Sequence, residues 1–136
     1  LWTGDLDGDS DPDAAVLDAD TDKLHLGEND GGTLKQIGEH DFGTVTSPGG
    51  INVTRGLDAA DFNADGNMDL AVTYGAGITE MAVVFGDGSV GVTDVDTFQL
   101  GGSFFGSIDG LRVTDWDGNG LPDILFGTNR QIGIAR

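Results

Sequence analysis

The chain has 136 residues, no cysteine, and a formal net charge of −18 from 24 acidic against 6 basic side chains. The length suits one compact domain, and no stretch approaches the roughly 18 consecutive apolar residues of a membrane span. Disulfides, thiol nucleophiles and thiolate metal sites are excluded, and a surface so poor in Lys and Arg suits cations rather than nucleic acid or an anionic membrane.

In chain order, a short first strand, "LWTG", leads into an acidic frame in which Asp5, Asp7, Asp9, Asp11 and Asp13 occupy alternate positions. The apolar run "AAVL" follows at 14–17. Two more strands are predicted at "KLHLG" (23–27) and "LKQIGEH" (34–40), joined by the hairpin "ENDGGT". The stretch "INVTRGLDAADF" (51–62) then reads as a strand entering a second frame, "DFNADGNMDLAV", from Asp61. Strands follow at "MDLAVTY" (68–74), "MAVVFG" (81–86) and "TFQLGG" (97–102). Finally "GLRVTDW" (110–116) enters a third frame from Asp115, "DWDGNGLPDILF", with strands at "PDILFG" (122–127) and "QIGIA" (131–135).

Three frames starting at 5, 61 and 115 define a period of about 55 residues, and each carries Asp or Asn at positions 1, 3, 5 and 9. Carboxylates this close repel one another unless a counter-charge or full solvation holds them. A solvated acidic surface, or a salt-adapted one in which screening removes the repulsion, is the alternative to bound metal. In a tightly curled loop, alternate side chains converge while position 7 offers its backbone carbonyl. That is how a hard cation collects six to eight oxygens at about 2.3–2.6 Å. Glycine at position 4 (Gly8, Gly118) or 6 (Gly66, Gly120) supplies the sharp turn. An EF-hand is not expected, because position 12 is Val16, Val72 or Phe126 instead of Glu, and a strand follows instead of a helix.

Each period reads as four strands, the pattern of a β-propeller blade. The 24 glycines oppose helix and favour tight turns. The expected fold is all-β, with about two and a half blades of four antiparallel strands: 1–46 with its first strand clipped, 47–103, and 104–136 with its last strand missing. Unfinished blades leave edges unpaired, so the chain is expected to be a piece of a longer polypeptide, or a subunit whose copies complete a ring.

The sequence resembles tandem FG-GAP or VCBS-type repeats, the calcium-binding blades of integrin α-subunit heads and of secreted bacterial and fungal propellers. The match is carried by "FFGSIDGLRVTDWDGNGLPDILFGTN", in which Phe105 and Gly106 stand at the Phe-Gly, and by "RGLDAADFNADGNMDLAVTYGAG", with Gly75-Ala76-Gly77 near the expected Gly-Ala-Pro. "FGDGSVG" and "LGENDGGTL" resemble the glycine-rich hairpin that follows in VCBS repeats. The resemblance implies up to three Ca²⁺ sites. Their side-chain ligands would be Asp5, Asp7, Asp9 and Asp13; Asp61, Asn63, Asp65 and Asp69; and Asp115, Asp117, Asn119 and Asp123. The carbonyls of Asp11, Asn67 and Leu121 would complete the cages. It also implies that the blades are part of a seven-bladed or similar propeller, and an extracellular or cell-surface location.

No catalytic set is expected. His25 in an alternating run reads as structural, His40 as solvated, and Glu28, Glu39 and Glu80 show no acid–base spacing. Trp116 at position 2 matches Leu6 and Phe62, an apolar slot expected to pack. Phe104 and Phe105 are expected between blades, and Tyr74, which ends a strand beside a glycine turn, is a candidate for exposure. The functional expectation is therefore a non-catalytic, calcium-stabilised module binding a glycan or protein ligand, joined to further blades in a parent chain or to neighbouring copies. The alternatives are a structural segment of an adhesin and the propeller scaffold of a polysaccharide lyase or hydrolase.

Overall fold

The computed structural model describes residues 1–18, 20–43, 56–74, 80–99, 108–128 and 131–135, which form three antiparallel sheets with no helix among them. The first contains β1 (Trp2–Gly4), β2 (Asp13–Asp18), β3 (Lys23–Asp30) and β4 (Thr33–Asp41), hydrogen-bonded in chain order. The second repeats this meander with β5 (Leu57–Ala60), β6 (Asp69–Tyr74), β7 (Glu80–Gly86) and β8 (Val92–Gln99). The third has β9 (Ile108–Thr114), β10 (Asp123–Thr128) and β11 (Ile132–Ala135). This is the all-β, blade-like architecture that the repeat pattern predicts.

Side-chain alternation determines which sheet meets which. On β6 and β7 of the central sheet, Leu70, Val72, Ala82 and Val84 join Ala15, Leu24 and Leu26 of the first sheet in one core. The opposite parity, Ala71, Met81 and Val83, packs with Leu111 and Ile124 of the third sheet in a second core. A sheet covered on both faces favours an apolar run, and all six residues of β6 are buried, with the two polar ones, Asp69 and Thr73, each engaged in hydrogen bonds. Ala71 and Ala82 are completely buried, and their small side chains leave room for close sheet approach.

The first strands meet across the repeats, β1 beside β5 and β5 beside β9. Gly56, just before β5, leaves room for the approach of β5 and β9: its N–H donates to Thr73 Oγ1 at 2.7 Å, and a Cβ there would run into Leu111. Asp58 ties the same two strands by accepting the Val113 N–H at 2.9 Å.

Three expectations are corrected. Tyr74 is 4% exposed, stacked on Phe42 at 4.5 Å between ring centroids. Burial pushes its hydroxyl up, with the Glu80 carboxylate adding to the effect. His40 is half-buried, its ring edge-on to Phe42 at 4.7 Å, so it belongs to this inter-sheet aromatic row. Trp116 is 60% exposed, whereas Leu6 is 6% exposed and Phe62 is packed. Leu6 and Phe62 each meet the sheet that follows their own, and among the described residues no sheet follows the third. Phe104, Phe105, Gly106 and the 75–77 motif lie outside the described residues.

Candidate metal centres

All three acidic frames fall on the connection between the first and second strands of their sheets, β1–β2, β5–β6 and β9–β10. Their backbones curl alike: positions 4 and 6 have positive φ in every copy, at Gly8 (82°) and Ser10 (77°), Ala64 (60°) and Gly66 (91°), Gly118 (74°) and Gly120 (87°). Sequence reasoning required one glycine per loop. The structure imposes the left-handed conformation on both positions, so Ser10 and Ala64 adopt it despite their Cβ atoms.

The acids themselves hold this curl. At position 1, Asp5 accepts the N–H groups of Gly8 and Ser10 at 2.7 and 3.0 Å. Asp61 accepts those of Asp65 and Gly66 at 3.1 and 2.9 Å. Asp115 accepts those of Gly118, Asn119 and Gly120 at 2.8, 3.0 and 2.9 Å. Position 3 accepts the N–H of position 5, from Asp7, Asn63 and Asp117. Position 5 accepts the N–H of position 7, from Asp9 to Asp11, Asp65 to Asn67 and Asn119 to Leu121. The three loops therefore share one hydrogen-bond pattern, in which every side chain at positions 1, 3 and 5 turns an oxygen inward.

Position 9 differs in kind. Asp13, Asp69 and Asp123 are almost fully buried at the start of the second strand. Each returns to the loop entrance: Asp13 Oδ2 accepts the Leu6 N–H at 2.9 Å, Asp69 Oδ2 that of Phe62 at 2.8 Å, and Asp123 Oδ2 that of Trp116 at 2.9 Å. The other oxygen reaches the hairpin beyond, to Asn29 N–H from Asp13 and Gly86 N–H from Asp69. One carboxylate thus brackets loop, strand and hairpin together. Burial pushes the Asp69 carboxyl up against the pull of these two bonds, with Asp65 and Asp61 adding repulsion. Sequence reasoning missed this bracket. Its available signal was an Asp fixed at the head of an apolar run, preceded by Pro12 and Pro122 in two of three copies.

Carboxylate oxygens of Asp5, Asp7 and Asp13 lie within 4.8 Å of one another, as do those of Asp115, Asp117 and Asp123. Asp7 shows the strain of such a cluster: the Asp9 N–H pulls its carboxyl down, yet partial desolvation and the charges of Asp9, Asp13 and Asp5 together hold it above the usual range. The second loop is less convergent in carboxylates. Asn63 replaces an acid there, and its Nδ2 donates to Asp65 Oδ2 at 2.8 Å. Together with the Asn67 N–H, which acts more strongly, this holds the Asp65 carboxyl below the usual range. Asp11 and Asn67 are half-buried and Leu121 exposed at position 7. Asn67 Oδ1 sits where a Cβ on Gly88 would fall, so its side chain abuts the β7–β8 hairpin.

The donor set fits a hard cation. All contributing atoms are oxygens, three carboxylates converge in each of two loops, and neither cluster includes a histidine. His25 lies instead on β3, with Nδ1 3.0 Å from Gln36 Nε2 and 3.4 Å from Glu39 Oε2, and Glu39 also pairs with Lys23. Glu28 lies on β3 next to the hairpin, and Glu80 opens β7 beside Tyr74.

A family model described as an FG-GAP-like repeat matches residues 5–72, from the first acidic loop through the second and into β6. No curated protein and no solved structure matches the chain.

Proposed function

Because the chain belongs to the FG-GAP-like repeat family, we propose that it is a calcium-stabilised, extracellular β-propeller module that binds a glycan or protein ligand and performs no catalysis. Its repeat architecture is that of a β-propeller-type module. The calcium reading is carried by one observation: carboxylate oxygens that converge within 4.8 Å in the first and third loops, on backbones with positive φ at positions 4 and 6 in all three. Asp5, Asp7, Asp9 and Asp13 would hold one ion, Asp115, Asp117, Asn119 and Asp123 another, and Asp61, Asn63, Asp65 and Asp69 a third with fewer charges. The ion supplies a counter-charge, not a reaction. What the chain's own residues do is fix the loop: position 9 anchors it to the second strand, and positions 1, 3 and 5 curl it around a point.

A cation that binds the folded chain and not the unfolded one raises stability by mass action. The melting temperature at low salt should fall when chelator is added and return with Ca²⁺. An unchanged melt would remove the calcium reading. For the ligand, binding to a glycan array that disappears in chelator supports a calcium-dependent recognition module. Turnover of any polysaccharide would replace that reading with the enzyme-scaffold alternative.

A further inference from the structure

Asn119–Gly120 in the third loop is the one Asn–Gly step in the sequence. Both residues are exposed, and Gly120, at φ +87°, has nothing within 4 Å of the place a Cβ would take. The Gly120 N–H donates to Asp115 Oδ2 at 2.9 Å, while Asn119 Oδ1 accepts the Leu121 N–H at 2.7 Å. A nucleophile, a proton acceptor and a donor to the electrophile's oxygen are thus gathered around one side-chain amide.

We propose that Asn119 is a self-modification site, converted to a carboxylate by its own loop. The Gly120 nitrogen attacks Asn119 Cγ, Asp115 Oδ2 takes the N–H proton, and the Leu121 N–H stabilises the charge that develops on Oδ1. The bond from Cγ to the side-chain nitrogen breaks, and that nitrogen leaves as ammonia carrying the proton from Asp115. A five-membered imide remains. Water then opens it at Cγ, leaving an aspartate at position 119, or at the backbone carbonyl, leaving the chain routed through the side chain. The net exchange is one water for one ammonia, with no oxidant or reductant.

The corresponding steps in the other loops are Asp9–Ser10 and Asp65–Gly66, in which position 5 is already a carboxylate. Conversion through Cγ gives the third loop the all-carboxylate set of the first. The consequence for cations rests on the calcium reading: an added charge strengthens that site, and an ion held by Asp115 and Asn119 withdraws both groups from the reaction. The metal-free loop is therefore the one that changes.

The test incubates the whole chain with Ca²⁺ and with chelator, then cuts after Arg112 and Arg130 and locates the change by tandem mass spectrometry. In chelator, position 119 should exchange NH₂ for OH at least about tenfold faster than Asn63 or Asn67, and Asp115→Asn should slow it by a similar factor. Leu121→Pro, which lacks the N–H, should slow it as well. A rate at Asn119 no greater than at Asn63 and Asn67 overturns the proposal. So does an equal or faster rate in Asp115→Asn, the result expected if that variant merely loosens the loop. Equal rates with and without Ca²⁺, while the Asp115 dependence holds, support the modification and overturn its protection by calcium.

Discussion

Ala64 holds a left-handed conformation with no side-chain hydrogen bond to favour it, at φ 60° in the middle of the second loop. That conformation costs an L-residue about 1–2 kcal/mol, whereas glycine's extra freedom in the unfolded chain costs about 0.5–1 kcal/mol. Ala64→Gly is therefore expected to stabilise the protein by about 0.5–1 kcal/mol, read from the urea midpoint at constant slope. A destabilised variant would show that the methyl group makes a contact worth more than the strain. Position 5 gives a contrast between loops. Asp65 accepts both the Asn67 N–H and the Asn63 Nδ2, whereas Asp9 accepts the Asp11 N–H. Asp65→Ala should lower the metal-free melting temperature about twice as far as Asp9→Ala, two acceptor contacts being lost against one. The Asp65 carboxyl is held below its unfolded value, so its contribution is present above that value and is lost as pH falls through the folded one. Asp65→Ala and the parent should accordingly converge in acid. At this scale the 1, 3, 5, 9 frame was legible because its chemistry is local to nine residues. What Asp13 and Asp69 do was not, since their second partners lie 16 and 17 residues away in a hairpin.

At the scale of elements, strand positions follow from alternation and turn residues, which a single segment contains. The fates of Tyr74, His40 and Trp116 do not, because each depends on a neighbouring sheet. Phe42 covers both Tyr74 and His40 from the end of β4, and Trp116 is exposed because the slot that Leu6 and Phe62 fill is made by a following sheet. The hairpins show the same dependence. Gly86 donates its N–H to Asp69, and a Cβ at this position would collide with the Met68 carbonyl oxygen, a backbone atom fixed by the second loop. Gly86→Ala must push the β7–β8 hairpin away from Asp69. An overpacking cost of about 1–3 kcal/mol is expected, read as a lowered urea midpoint. If Asp69→Asn removes much of the bracket already, adding Gly86→Ala to it should cost less than in the parent, and the two changes will be non-additive. Full additivity would separate the hairpin from the loop.

For the whole molecule, the central sheet shows what a complete blade requires, since both of its faces are covered and its inner strands β6 and β7 bury apolar side chains on both sides. Among the described residues, the flanking sheets each have one such face and one that is open. On the first sheet the open side presents Val16 and Leu34, 41% and 62% exposed. On the third it presents Ile132 and Ile134, 82% and 39% exposed, together with Trp116. These side chains occupy strand positions equivalent in kind to those that bury the inter-sheet cores, so the open faces are suited to further sheets, whether in the same polypeptide or in another copy. A patch of this character in a 136-residue chain promotes association, opposed here by a net charge of −18 that keeps copies apart at low salt. The 136-residue chain in calcium buffer should therefore grow in size as salt screens the repulsion, measured by light scattering after size exclusion. Leu34→Lys combined with Ile132→Lys should reverse that growth without lowering the melting temperature, because neither side chain contributes to the two cores. A monodisperse monomer of 14.0 kDa at all salt concentrations would show that two flanking sheets can carry open apolar faces unaided, and would end the argument that this surface is made to be covered.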